Sequence, residues 1–117
     1  MTSTNRAIKE AYIKTLTAST GILFDLANMN ERYTDEECDA WREKGNAAAE
    51  LLSRSIREYF DPAHDQEVMK ATKKLYTVQM LLEKELNVQK DIVRSVNAAA
   101  DLISVAEDIV IIISGVV

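Results

Sequence analysis

The chain has 117 residues and a formal net charge of −5. Because an acidic surface repels phosphate backbones, we expect no nucleic-acid partner. Three glycines and one proline are too few for the many turns of a β-sandwich or β-barrel, and this length fits one domain. We therefore expect a single all-α domain over residues 1–117.

The first predicted helix covers residues 3–28. Its large apolar residues recur at spacings of three and four, as they do on one side of a helix, and Tyr12, Ile22 and Leu26 belong to this pattern. Residues 15–21 in its middle are mostly small or hydroxylated. Small side chains let a second helix approach closely, so this part predicts a helix–helix contact.

The second predicted helix covers residues 35–60. Thr34 and Glu37 have the spacing of a capping box, which predicts a helix start at residue 35. Pro62 disfavours helical geometry in the residue before it and so predicts the end. The small residues 45–49 match the narrow middle of the first helix, and we expect the two helices to form an antiparallel hairpin through a short loop.

A seven-residue repeat runs through the third region. Its positions alternate steps of three and four residues, and only Glu85 and Gln89 interrupt their apolar character. The positions are Val68, Ala71, Leu75, Val78, Leu82, Glu85, Gln89, Ile92, Val96, Ala99, Ile103, Ala106, Val110, Ile113 and Val117.

The repeat is compatible with two arrangements. In the first, a turn at Asn87 divides the region into two helices and the chain forms a four-helix bundle. In the second, residues 62–114 form one helix about 80 Å long, packed against the hairpin. We favour the long helix, because the register continues across residues 83–91 and no glycine or proline interrupts them.

The end of the chain is its most hydrophobic part. Two apolar faces run along the predicted helix, and on a continuous helix both would extend beyond the hairpin into water. Exposing eight large aliphatic side chains would forgo on the order of 10 kcal/mol of stabilisation, so we expect a protein partner, most simply a second copy of the chain. A turn at Asn87 would instead let the first two helices cover the segment. The predicted partner-binding residues are Leu102, Ile103, Val105, Ile109, Val110, Ile112 and Ile113.

The residues that carry chemistry are sparse. His64 is the only histidine and Cys38 the only cysteine, whereas first-row metal sites usually recruit several such ligands. The acidic residues near Cys38 match a helix start better than a metal site. We therefore predict no catalytic residue, no metal site and no cofactor.

The prediction is thus a non-enzymatic helical interaction protein, either a self-assembling subunit or an adaptor or inhibitor of another protein. The alternative is a membrane-active bundle that releases its C-terminal helix at a bilayer. The acidic charge argues against that alternative, and the nine residues after Asp108 are too few to span a membrane. The first residues lack the apolar stretch of a signal peptide, so the cytoplasm is the default compartment.

Overall fold

The computed structural model describes residues 3–87 and 92–114. They form four α-helices, with bounds α1 Ser3–Ala27, α2 Asp35–Arg57, α3 Asp65–Asn87 and α4 Ile92–Ser114. A short 3₁₀ helix, Pro62–His64, precedes α3. Within the described residues there is no strand, and the predicted all-α class is confirmed.

The predicted hairpin of α1 and α2 is also confirmed. The Thr34 hydroxyl accepts a hydrogen bond from the Glu37 amide at 3.2 Å, and the Thr34 amide donates to Glu37 Oε1 at 2.9 Å. This capping box starts α2 at the predicted residue. Near the other end of the hairpin the Lys9 ammonium group donates to the Glu58 carbonyl at 2.8 Å. The start of α1 therefore lies beside the end of α2, as an antiparallel pair requires.

The second helix ends three residues earlier than predicted. Arg57 is its last residue, and Glu58 already has extended backbone geometry. Phe60, beyond the helix, remains buried, and its ring centroid lies 5.9 Å from that of Tyr12. The apolar spacing predicted a helix up to residue 60, because Phe60 fits the pattern of buried residues. Phe60 packs in the core although it lies beyond the end of the helix.

The chain forms the four-helix bundle predicted for a break at Asn87, so that arrangement is confirmed. The continuous helix over residues 62–114, which we favoured, is not present, and that preference was wrong. Helix α3 ends at Asn87, α4 begins at Ile92, and the two pack against each other. The Ser95 hydroxyl donates to Glu85 Oε1 at 2.9 Å, although ten residues of continuous helix would separate them by about 15 Å. The seven-residue repeat persisted because each helix buries one apolar face, whichever direction it runs. Residues 88–91 lie outside the described residues.

The helices form a square arrangement in which α1 and α4 each contact both α2 and α3. The Asn5 side chain donates to Asp65 Oδ1 at 2.7 Å, so α1 and α3 begin at the same end of the bundle. The bundle measures 46 × 24 × 17 Å. All four helices contribute fully buried side chains to one core, among them Leu16, Leu23, Trp41, Leu75, Leu82 and Leu102.

The close approach of α1 and α2 can be tested at two glycines. A Cβ atom on Gly45 would lie 3.0 Å from the Phe24 ring, whereas one on Gly21 would meet nothing within 4 Å. We expect Gly45→Leu to lower the free energy of unfolding by about 1–3 kcal/mol through overpacking. Gly21→Ala is the control and should raise it by up to about 1 kcal/mol through helix propensity. Urea denaturation followed by circular dichroism measures both, and equal effects would contradict a tight contact at Gly45.

Candidate functional site

The predicted partner-binding residues of α4 divide into two groups. Leu102, Ile109, Val110 and Ile113 are buried in the core of the bundle, so the chain itself covers them. Ile103, Val105 and Ile112 are only partly buried and pack around that core. The seven residues therefore do not form one open surface, and only the second group contributes to the outside of the molecule.

Two exposed residues of α4 were missed by the sequence analysis. Val93 is 71% exposed and Ile111 is 52% exposed. They are 18 residues apart, which is five turns of an α-helix, so they lie on the same side. Neither residue lies on the seven-residue repeat. An apolar residue off the repeat is the one sequence signal that could have identified them as exposed. Val93 and Ile111 are called the α4 outer face below.

Ile111 borders a cleft of about 370 Å³ between α2 and α4. Leu51 and Val110 form its apolar lining, and charged side chains from both helices stand around it. A second groove, about 190 Å³, runs between α4 and α3 and contains Val105 and Ile112. The two partly buried sides of α4 are thus its boundaries with its neighbours, and the α4 outer face lies between them.

Helix α3 carries a second exposed apolar surface. Met69, Tyr76 and Met80 are 41–56% exposed, and their spacing of seven and four residues places them on one side of the helix. Methionine and tyrosine are enriched in protein interfaces. None of the three is on the seven-residue repeat, and the sequence analysis missed them for that reason.

The most unusual buried group is the carboxyl group of Glu85, whose side chain is 1% exposed. Its Oε2 accepts a hydrogen bond from the Tyr33 hydroxyl, and its Oε1 accepts one from Ser95. The Arg32 guanidinium group donates to the Glu85 backbone carbonyl. The α1–α2 loop, the end of α3 and the start of α4 are therefore joined at one end of the bundle. The repeat placed Glu85 on the buried face, but the sequence did not indicate its partners.

The surroundings of Tyr33 favour its neutral phenol. Burial raises the pKa of the Tyr33 hydroxyl, and the hydrogen bond to Glu85 raises it further. A neutral phenol remains a donor, so it can satisfy the buried carboxyl group. The arrangement links the α1–α2 loop, the end of α3 and the start of α4. Polar groups buried in helical bundles can fix the register and orientation of the helices in this way.

Cys38 and His64, the single cysteine and the single histidine of the sequence, have other surroundings. Cys38 is buried, and its Sγ lies 3.5 Å from Asn30 Oδ1. His64 follows the capped turn at Asp61 and is half-buried. Across residues 3–87 and 92–114, no three or more histidine, cysteine, aspartate or glutamate side chains are close enough to hold a metal ion.

Comparison with protein-family models, curated proteins and solved structures finds no match to this chain. Over the described residues, no helix is both long and apolar enough to cross a membrane.

The link between Tyr33 and Glu85 can be tested by a double-mutant cycle. We expect Tyr33→Phe to lower the free energy of unfolding by about 1–3 kcal/mol, because a buried carboxyl group loses a donor. In a Glu85→Leu background the same change should cost less, since the acceptor is already gone. The half-exposed Tyr59 provides the control, and Tyr59→Phe should have almost no effect. Additive effects of the two changes would contradict the proposed coupling.

Proposed function

We propose that this chain is a non-enzymatic interaction protein that binds a second protein, most simply another copy of itself, through the α4 outer face. The observation that carries the proposal is the exposure of Val93 and Ile111 on a helix whose other large apolar side chains are buried or partly buried. Removing such aliphatic side chains from water stabilises a complex, by up to about 1.5–3 kcal/mol for each side chain fully buried.

The arrangement of α4 supports a partner that binds to a folded bundle. Its core residues Leu102, Ile109 and Ile113 are covered by the other helices, so a partner is not needed to remove them from water. The partner would contact the α4 outer face and the partly buried Ile103, Val105 and Ile112 beside it. Association of this kind is reversible, because each partner keeps its own core.

The two clefts beside α4 support the same proposal. Each has an apolar lining and charged side chains around it, with Glu50, Arg54 and Glu107 at the cleft with α2. Side chains projecting from a partner could enter these shallow clefts, while the surrounding charges remain in contact with water. An apolar centre with a polar rim is the usual composition of a protein interface.

Site-specific photo-crosslinking tests this proposal. A photoreactive amino acid replaces Ile111 on α4 or, as the matched control, Ile56 on α2, which is 53% exposed. In the native cell we expect position 111 to crosslink to one protein of defined mass and position 56 to give far less of that product. Mass spectrometry then distinguishes a second copy of the chain from a different protein.

The captured pair must also form from the purified proteins. Val93→Glu should weaken this complex at least tenfold, because a charge would replace an aliphatic group in the interface, and tenfold corresponds to about 1.4 kcal/mol. The circular dichroism melting curve should not change, since Val93 is 71% exposed. Equal crosslinking at positions 111 and 56, or no specific product at position 111, would contradict the proposal.

A further inference from the structure

Apolar packing holds the end of the α4 outer face at which Ile111 lies. Ile109, Val110 and Ile113, on the inner side of the same part of α4, are all buried in the core. Protein interiors are close-packed, so three large buried side chains within five residues fix this part of the helix against its neighbours. Ile111 therefore keeps its place without the help of a polar contact.

The other end of the α4 outer face, at Val93, has smaller side chains beneath it. Ile92 and Val96 are only partly buried. The buried residues within 92–101 are Ser95, Ala98 and Ala99. Burial stabilises in proportion to the apolar area removed from water, and these small side chains offer little of it. Val93 also lies in the first turn of α4, where the backbone N–H groups have no acceptor within the helix. Apolar packing therefore holds this end less firmly.

A hydrogen bond secures the start of α4. The hydroxyl group of Ser95 donates to Glu85 Oε1 at 2.9 Å. Two residues of α-helix turn the chain by about 200°, so Ser95 faces the core while Val93 faces outwards. Because the two residues belong to one helical turn, a displacement of Ser95 would move Val93 with it.

The α1–α2 loop holds the acceptor of this hydrogen bond. The Tyr33 hydroxyl donates to Glu85 Oε2, and the Arg32 guanidinium group donates to the Glu85 backbone carbonyl. Tyr33 is itself buried, with its ring centroid 6.0 Å from that of the buried Trp41. The loop thus fixes both the backbone and the carboxyl group of Glu85, and Ser95 has an acceptor in a fixed position.

We infer that Tyr33 and Ser95 are positioning residues for the Val93 end of the α4 outer face, acting through the Glu85 carboxyl group. Both side chains are buried, so neither would contact a partner. They would hold Val93 where a partner that binds Ile111, about 27 Å along the helix, can also reach it. This inference rests on the proposed function and adds that the α1–α2 loop controls one end of the binding face.

Amide hydrogen exchange, measured by NMR on the isolated protein, tests the positioning. In Ser95→Ala the amides of residues 96–99 should exchange about threefold faster or more, because their acceptors are the carbonyls of residues 92–95. The amides of residues 106–110 should keep their wild-type rates. Alanine is a better helix former than serine, so helix propensity cannot cause the faster exchange. Tyr33→Phe should give the same pattern, and Ser104→Ala, at an exposed serine of α4, is the matched control.

Photo-crosslinking in the native cell relates this positioning to binding. A photoreactive amino acid replaces Val93 or Ile111 in the wild-type, Ser95→Ala, Tyr33→Phe and Ser104→Ala chains. In the first two variants the product from position 93, relative to that from position 111, should fall about threefold or more. A general loss of stability would lower both products together. The Ser104→Ala chain should keep the wild-type ratio.

Three results would overturn the inference. They are wild-type exchange rates at residues 96–99 in the two variants, exchange that is equally faster along the whole of α4, and an unchanged ratio of the two crosslinked products. Failure of the proposed function looks different, because position 111 of the wild-type chain then gives no specific product. That result would end the inference together with the proposed function, whatever the exchange rates of the isolated protein.

Discussion

The structure depends most on the hydrogen bonds of the buried Glu85 carboxyl group. Ser95 donates to one oxygen and Tyr33 to the other, so the end of α3, the start of α4 and the α1–α2 loop meet at one point. An apolar residue at position 85 would remove these directional contacts and leave the relative position of α3 and α4 to side-chain packing alone. The carboxyl group instead requires two particular donors and so fixes where α4 lies.

The position of α4 decides what the protein presents to its surroundings. Folded back against α2 and α3, it buries Leu102, Ile109, Val110 and Ile113, and each contributes roughly 1.5 kcal/mol or more to stability. On a continuous helix these side chains would need a partner to cover them. In the bundle the other helices cover these side chains, and the proposed binding surface is Val93 and Ile111, which remain exposed. The proposed assembly is therefore a contact between folded subunits.

Local signals in the sequence predicted much of the fold. The capping box of Thr34 and Glu37 placed the start of α2, and Pro62 placed the break before α3. The seven-residue repeat identified the buried face of α3, with Glu85 included. On α4 it identified only part of that face, since Leu102 and Ile109 are buried off the repeat and Ile103 on it is partly exposed. These predictions succeeded because capping, proline geometry and amphipathic spacing act within a few residues of the chain.

The direction of α4 and the exposed surfaces could not be predicted in the same way. Periodicity reports which face a helix buries, and that face is the same whether the chain continues or reverses. The reversal depends on contacts between residues distant in sequence, such as Tyr33 with Glu85. Met69, Tyr76 and Ile111 were missed because a search for the core passes over apolar residues that lie off its register.

The distance between the start of α3 and the end of α4 tests this account most directly. Spin labels at Glu67 and Asp108, in a chain whose only cysteine is removed by Cys38→Ala, would report it by pulsed electron paramagnetic resonance, with unlabelled protein in excess. Both residues line the groove between α3 and α4, and adjacent helix axes lie about 10 Å apart, so the account predicts a short distance, on the order of 20 Å between labels. A distance near 60 Å, as expected for about 40 residues of continuous helix, would contradict it.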